Sequence, residues 1–150
     1  MAYINTITGH YPLSAADVRA AHPNTSFPAE VAGFEESLAE MGYAVVQQVP
    51  EPVITYTQNV TEGVPKKGKN GYTQTWVVSD ASAEEVAQRT ADKSTNVRQE
   101  RNQRLADCDW TQLSDAPVDA AAWATYRQNL RDVTSEAGFP WNITWPSEPS

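Results

Sequence analysis

The chain has 150 residues, 40% of them hydrophobic, and carries a formal net charge of −8. That apolar share falls below the ~45–50% of ordinary globular domains, so the length fits either one domain or two small modules joined by a helix, and a single compact core is not assured. The acid excess argues against non-specific binding to nucleic acid or to an anionic membrane, both of which need a basic surface.

Met1–Tyr11 alternates weakly and reads as a short strand or an extended arm. Ser14 suits the N-cap of a short helix over Ala15–Ala21, which Pro23 stops. His22–Pro28 is turn chemistry, with two prolines, an Asn and a Ser. Pro28 suits a first helical position, and Glu30, Val31, Phe34, Leu38 and Met41 follow at helical spacing, with Gly42 where a C′ glycine belongs. The face formed by Val31, Phe34, Leu38 and Met41 must be buried.

Tyr43–Val49 is rich in β-formers and ends at Pro50. Val53–Val64 alternates in the half-buried manner of a strand. Pro65–Tyr72 then brings three lysines, two glycines and an Asn-Gly pair, a hairpin signal, with Tyr72–Val78 as the return strand. Met1–Asp80 therefore predicts a small antiparallel β module with short helices.

Ser82-Ala83-Glu84-Glu85 is a capping box. A helix of about 25 residues is expected to follow, free of Pro and Gly, ending near Cys108. Its apolar positions are few: Val86, Val97 and Leu105, with small fillers between. A helix this polar is not stabilised by a core of its own. It either spans between the two ends of the chain or joins copies of itself. The 83, 86, 90, 93, 97, 104 spacing approximates a heptad, although Lys93 sits in the seam.

The end of the chain concentrates aromatic residues: Trp110, Trp123, Trp141 and Trp145 are four of the five tryptophans. Asp109–Val118 reads as a loop, and Asp119 caps a second helix over Ala120–Val133, which bears a Trp123, Tyr126, Leu130, Val133 stripe flanked by Arg127 and Arg131. In the tail, Phe139, Trp141, Ile143 and Trp145 alternate, but Pro140, Pro146 and Pro149 keep them out of a central strand. The predicted fold class is α+β, with an N-terminal module over 1–80, a long connecting helix over 81–108, and a C-terminal helical hairpin with a Pro/Trp-rich tail over 109–150.

Chemistry is sparse. Cys108 is the single cysteine, so neither an intrachain disulfide nor a multi-cysteine zinc site is possible. His10 and His22 lie near no partner set, and no metalloprotease, nucleophile-elbow, dinucleotide or P-loop string occurs. Glu35–Glu36 and Asp107/Asp109 read as solvated helix and cap residues. No catalytic residue, metal ligand or cofactor is assigned, and a non-enzymatic protein is expected. No apolar run approaches the ~18–20 residues of a spanning helix. Met1–Leu13 lacks the basic and apolar regions of a secretory signal, which predicts a reducing cytosol unless a larger particle carries the chain out.

Three strings in order carry a family resemblance: Arg101, Leu105, Asp109-Trp110-Thr111-Gln112; then Trp123, Tyr126-Arg127-Gln128, Leu130-Arg131-Asp132; then Phe139-Pro140 and Trp145-Pro146. Across about Val97–Pro149 this resembles the phage tail assembly chaperone family, also called tail fibre assembly proteins. Val133-Thr134-Ser135 departs from a proline-bearing turn common in that family. The resemblance implies a non-enzymatic chaperone that binds a phage tail fibre and promotes its folding or trimerisation in the host cytoplasm. The alternative is a structural virion component kept on the fibre or baseplate, as a homotrimer through the long helix. Trp123, Tyr126, Arg127 and Arg131, with Phe139, Trp141 and Trp145 on the tail, are the expected partner-binding residues. Trp110 and Trp123 lean toward core, because large aromatics at helical spacing pack inward.

Overall fold

The computed structural model describes residues 1–28 and 31–149. The expected helical turn at Glu30 and the side chain of Val31 lie outside the described residues. The chain forms two compact units, Met1–Asp80 and Ala81–Ser150.

In the first unit the strands are β1 (Ala2–Asn5), β2 (Tyr43–Gln47), β3 (Gln58–Gly68) and β4 (Gly71–Asp80), with helices α1 (Ala15–Ala21) and α2 (Val31–Glu40) between β1 and β2. The Ser14 hydroxyl accepts from the Asp17 amide, and the Asp17 carboxylate accepts from the Ser14 amide, so α1 starts on a full capping box. Gly42 follows α2 at φ +80°, a conformation that a Cβ disfavours, and an added Cβ would also lie 2.6 Å from the Ile7 side chain. Phe34 and Leu38 from α2 pack with Tyr3, Val18 and Tyr43 into the core of this unit, and Met41 lies partly buried against it. The Tyr3 and Phe34 rings meet edge to face at 5.8 Å.

The sheet order is β1-β2-β4-β3. β1–β2 and β3–β4 are antiparallel, whereas β2 and β4 are parallel, so the sheet is mixed and not the antiparallel one expected. Periodicity identifies the β3–β4 hairpin but does not say which of its strands turns inward. β3 has Pro65 at an irregularity between Gly63 and Lys66, and then Lys66 and Lys67. Proline, lysine and a bulge suit an edge, so the Tyr72–Trp76 strand takes the inner place. β1, the other edge, is covered where Tyr3 and Leu13 exchange backbone bonds of 2.8 and 3.0 Å.

Two boundaries also move. β3 begins at Gln58 and not at Val53, which is fully exposed after Pro50 and Pro52. The hairpin closes at Gly68↔Gly71, with Gly71 at φ +108° and no non-glycine residue at positive φ among the described residues. The two central residues are then Lys69 and Asn70, neither at positive φ, so the turn is not of type I′, which needs positive φ at both.

The second unit holds α3 (Ala83–Asp107), a 3-10 turn (Asp109–Gln112), α4 (Ala120–Asp132) and a 3-10 turn (Val133–Ser135). The Ser82 hydroxyl accepts from the Glu85 amide and the Glu85 carboxylate from the Ser82 amide, which starts α3 where the capping box predicts. Asp119 caps α4 by accepting from the amides of Ala121 and Ala122. Tyr126, Leu130 and Val133 are buried, as the stripe requires. Leu130 and Tyr126 share a core with Cys108, and Leu105, Trp123 and Trp145 pack around it. Burying one side chain of the size of Leu130 contributes about 1.5–3 kcal/mol.

Candidate functional site

The turn of the helical hairpin is built around Arg127. The last carbonyls of α3 have no partner within the helix, and the C-cap Cys108 directs its own amide to the Ala106 carbonyl. From α4, one guanidinium nitrogen of Arg127 donates to the Leu105 carbonyl at 2.7 Å and to Cys108 Sγ at 2.9 Å. The other donates to Asp109 Oδ1 at 2.6 Å. The Cys108 thiol in turn donates to the Leu105 carbonyl at 3.3 Å. Arg127 is 8% exposed. Burial works against its charge, but the bonds to Asp109 and Cys108 outweigh that and hold its pKa above the ordinary arginine value. A cation at a helix C-terminus is also favoured by the helix dipole.

Beside this clasp, Tyr126 meets Trp123 edge to face at 5.6 Å, and Trp123 leans on Trp110 at 6.2 Å. The Tyr126 hydroxyl is buried without a hydrogen-bond partner among the described residues. Its pKa is raised, first by burial and then by the Glu148 carboxylate, with the Arg104 guanidinium opposing.

The tail forms a hook. Past Ser135, the Trp141 and Asn142 amides donate to the Gly138 carbonyl at 2.9 and 2.7 Å, which bends the chain back on itself. A Cβ on Gly138 would sit 2.0 Å from the Asn142 carbonyl oxygen, so only glycine fits there. The Thr144 amide donates to the Glu136 carboxylate at 3.0 Å across the bend. The hook lies along α3: Trp141 Nε1 donates to the Thr90 hydroxyl at 3.3 Å, Arg98 lies over the Phe139 ring at 5.0 Å, and Arg104 lies over Trp145 at 4.5 Å. Arg101 reaches the Thr134 hydroxyl at 3.4 Å. Thr90 and Arg104 are fourteen residues apart, about 21 Å of helix at 1.5 Å per residue. The tail therefore runs down α3 to Thr90 and returns to the core around Tyr126.

Of the residues predicted to bind a partner, Tyr126 and Arg127 are taken up inside the hairpin. Trp123, Phe139, Trp141 and Trp145 are half-buried against their own unit, and Arg131 is exposed in the last turn of α4. Trp110, expected to lean toward core, is 49% exposed, and Leu113 next to it is 64% exposed. Arg98, Arg101 and Arg104, on α3, are not among the residues predicted to bind a partner. Arg104 does pair with Glu100 at 2.7 Å, but all three also hold the tail or the segment leading into it. The only signal for this in the sequence is arginine on one helix and aromatics on a distant tail, which gives no register.

Residues 94–150 match the family described as phage tail assembly chaperone protein. The matched segment takes in the second part of α3, the Arg127 clasp, α4 and the hook, and leaves the first unit unmatched. No curated protein and no solved structure matches the chain. Among the described residues no group of three or more His, Cys, Asp or Glu is placed to hold a metal ion, and no helix is long and apolar enough to cross a membrane.

Proposed function

We infer that this chain is a non-enzymatic phage tail assembly chaperone that binds the tail fibre in the host cytoplasm and promotes its folding or trimerisation. The family match over residues 94–150 carries this reading. Tail assembly supplies the class of partner, and the fibre is the partner that the family resemblance implies. The rigid hairpin supports it, because a preorganised surface binds without a further ordering cost.

A homotrimeric virion component joined through the long helix is the less favoured alternative. Of the α3 positions that would form such a seam, Val97 is buried within the same unit, Val86, Thr90 and Arg104 are half-buried there, and Lys93 places a charge in the seam. The decisive experiment is coexpression of this chain with the tail fibre protein of the same phage, scoring the yield of soluble trimer. A clear rise is expected, and an unchanged yield would remove the chaperone reading. Mass spectrometry of purified particles separates the two readings, since fibre-like copy number in the virion belongs only to the structural one.

A further inference from the structure

Charge in the C-terminal unit is unevenly placed. Residues 105–126 hold Asp107, Asp109, Asp115 and Asp119 and no lysine or arginine. The remainder of Ala81–Ser150 has seven acidic and seven basic residues, so the unit's net charge sits in the turn between α3 and α4. The same turn displays Trp110 and Leu113, which are among the large apolar residues most exposed in this unit.

That display does not come from a loose loop. Thr111, between them, is buried, and its hydroxyl donates to the Cys108 carbonyl at 2.7 Å. The Leu113 amide donates to the Trp110 carbonyl at 3.2 Å, and Trp110 is backed by Trp123. The Arg127 clasp holds Asp109 and the end of α3 directly beneath. A tryptophan held half in water on a fixed turn adds little to its own core, and this is the residue type that dominates interface hot spots. Carboxylates on the same turn favour a cationic partner and speed its encounter. A second copy of the chain would bring four like charges to the same place, which disfavours self-association there.

Building on the chaperone reading, we propose that the α3–α4 turn docks a basic segment of the tail protein. An apolar side chain of that segment seats on Trp110 and Leu113, and its Lys or Arg side chains face the aspartates. Asp109 and Asp119 also serve the fold, through Arg127 and the cap of α4, whereas Asp107 accepts only an exposed bond from Gln103 one turn back on α3, so Asp107 and Asp115 are the positions to alter.

The test measures binding of the full chain to the tail fibre protein of the same phage by titration calorimetry at two salt concentrations. Trp110→Ala with Leu113→Ala is expected to weaken Kd by about tenfold or more, as for a hot-spot pair, with the helical circular dichroism retained. Asp107→Lys with Asp115→Lys should weaken it as well and flatten the salt dependence. Lys66→Ala with Lys67→Ala, in the other unit, should leave Kd unchanged. Wild-type affinity in both turn variants would overturn the docking site while leaving the chaperone reading standing. Failure of the unaltered chain both to bind and to raise soluble trimer would remove the two together. A wild-type dimer in sedimentation that Trp110→Ala dissolves would give the surface to a second copy and overturn the proposal.

Discussion

Replacing Arg127 with alanine is expected to open the turn of the helical hairpin, and the size of the effect follows from three losses. The bond to the Leu105 carbonyl is a charge-assisted one to a group that otherwise accepts only from the weak Cys108 thiol donor among the described residues, and such bonds contribute about 1.5–3 kcal/mol. The buried stem of the side chain adds about 1–2 kcal/mol of lost packing. The pairing with Asp109 adds little, because that carboxylate is 67% exposed, and exposed ion pairs contribute about 0–1 kcal/mol. The total is about 2.5–6 kcal/mol. In a unit of this size each kcal/mol lowers Tm by about 4–8 °C, so Arg127→Ala should lose more than ~10 °C. Asp109→Ala should lose only a few degrees. Arg127→Lys should fall between, since an ammonium does not reproduce the guanidinium fork. Tryptophan fluorescence during thermal or urea unfolding reads this unit selectively, with four of the five tryptophans in it. If Asp109→Ala proves as costly as Arg127→Ala, the exposed ion pair holds the turn and the carbonyl does not. If Arg127→Ala costs less than ~1 kcal/mol, the clasp reasoning fails outright.

Gly138→Ala should release the hook, because the new methyl would overlap the Asn142 carbonyl, and steric strain of that kind typically costs ~1–3 kcal/mol; faster amide exchange at Trp141 and Asn142 with α4 unaffected is the expected signature. Ser82→Ala removes the capping box of α3 and should cost about 1 kcal/mol, so an unchanged unfolding midpoint would count against the cap. In the first unit, burial and then the bond to the Glu62 carboxylate push the Tyr11 phenol up to about 12 from 10.0. A raised folded value means that the stabilisation is fully present below about pH 10 and is lost as pH rises through about 12. Tyrosinate absorbance of the wild type minus that of Tyr11→Phe isolates this one group, and a midpoint at the ordinary value would refute the pairing.

Much of the local structure was legible before any coordinates. The Ser14 cap, the Ser82 capping box, the extent of α1 and α3, the Gly42 stop and the buried Tyr126–Leu130–Val133 stripe follow from spacing and cap chemistry, which act over four residues or fewer. The parallel β2–β4 pairing was not legible, because strand order depends on which hairpin edge tolerates solvent. Which of the expected partner-binding residues lie open was not legible either, for a related reason. Tyr126 and Arg127 looked like contact residues by type, while Trp110 looked like core. Helical spacing places Trp123 and Tyr126 on one face, but Trp110 lies in a 3-10 turn where that period does not apply.

By itself the sequence determined that the chain has two kinds of end, a β-rich module and an aromatic-rich helical one, because hydrophobic period and capping are local properties of the chain. Tertiary structure alone decided what the arginines and tryptophans do. Arg127 closes the end of α3, Arg98 and Arg104 hold the returning tail, and Trp110 is left facing water beside the aspartates. Those roles depend on contacts between residues eighteen to forty-one positions apart. Such contacts are set by how the tail bends at Gly138 and where α4 meets α3, which no local pattern encodes.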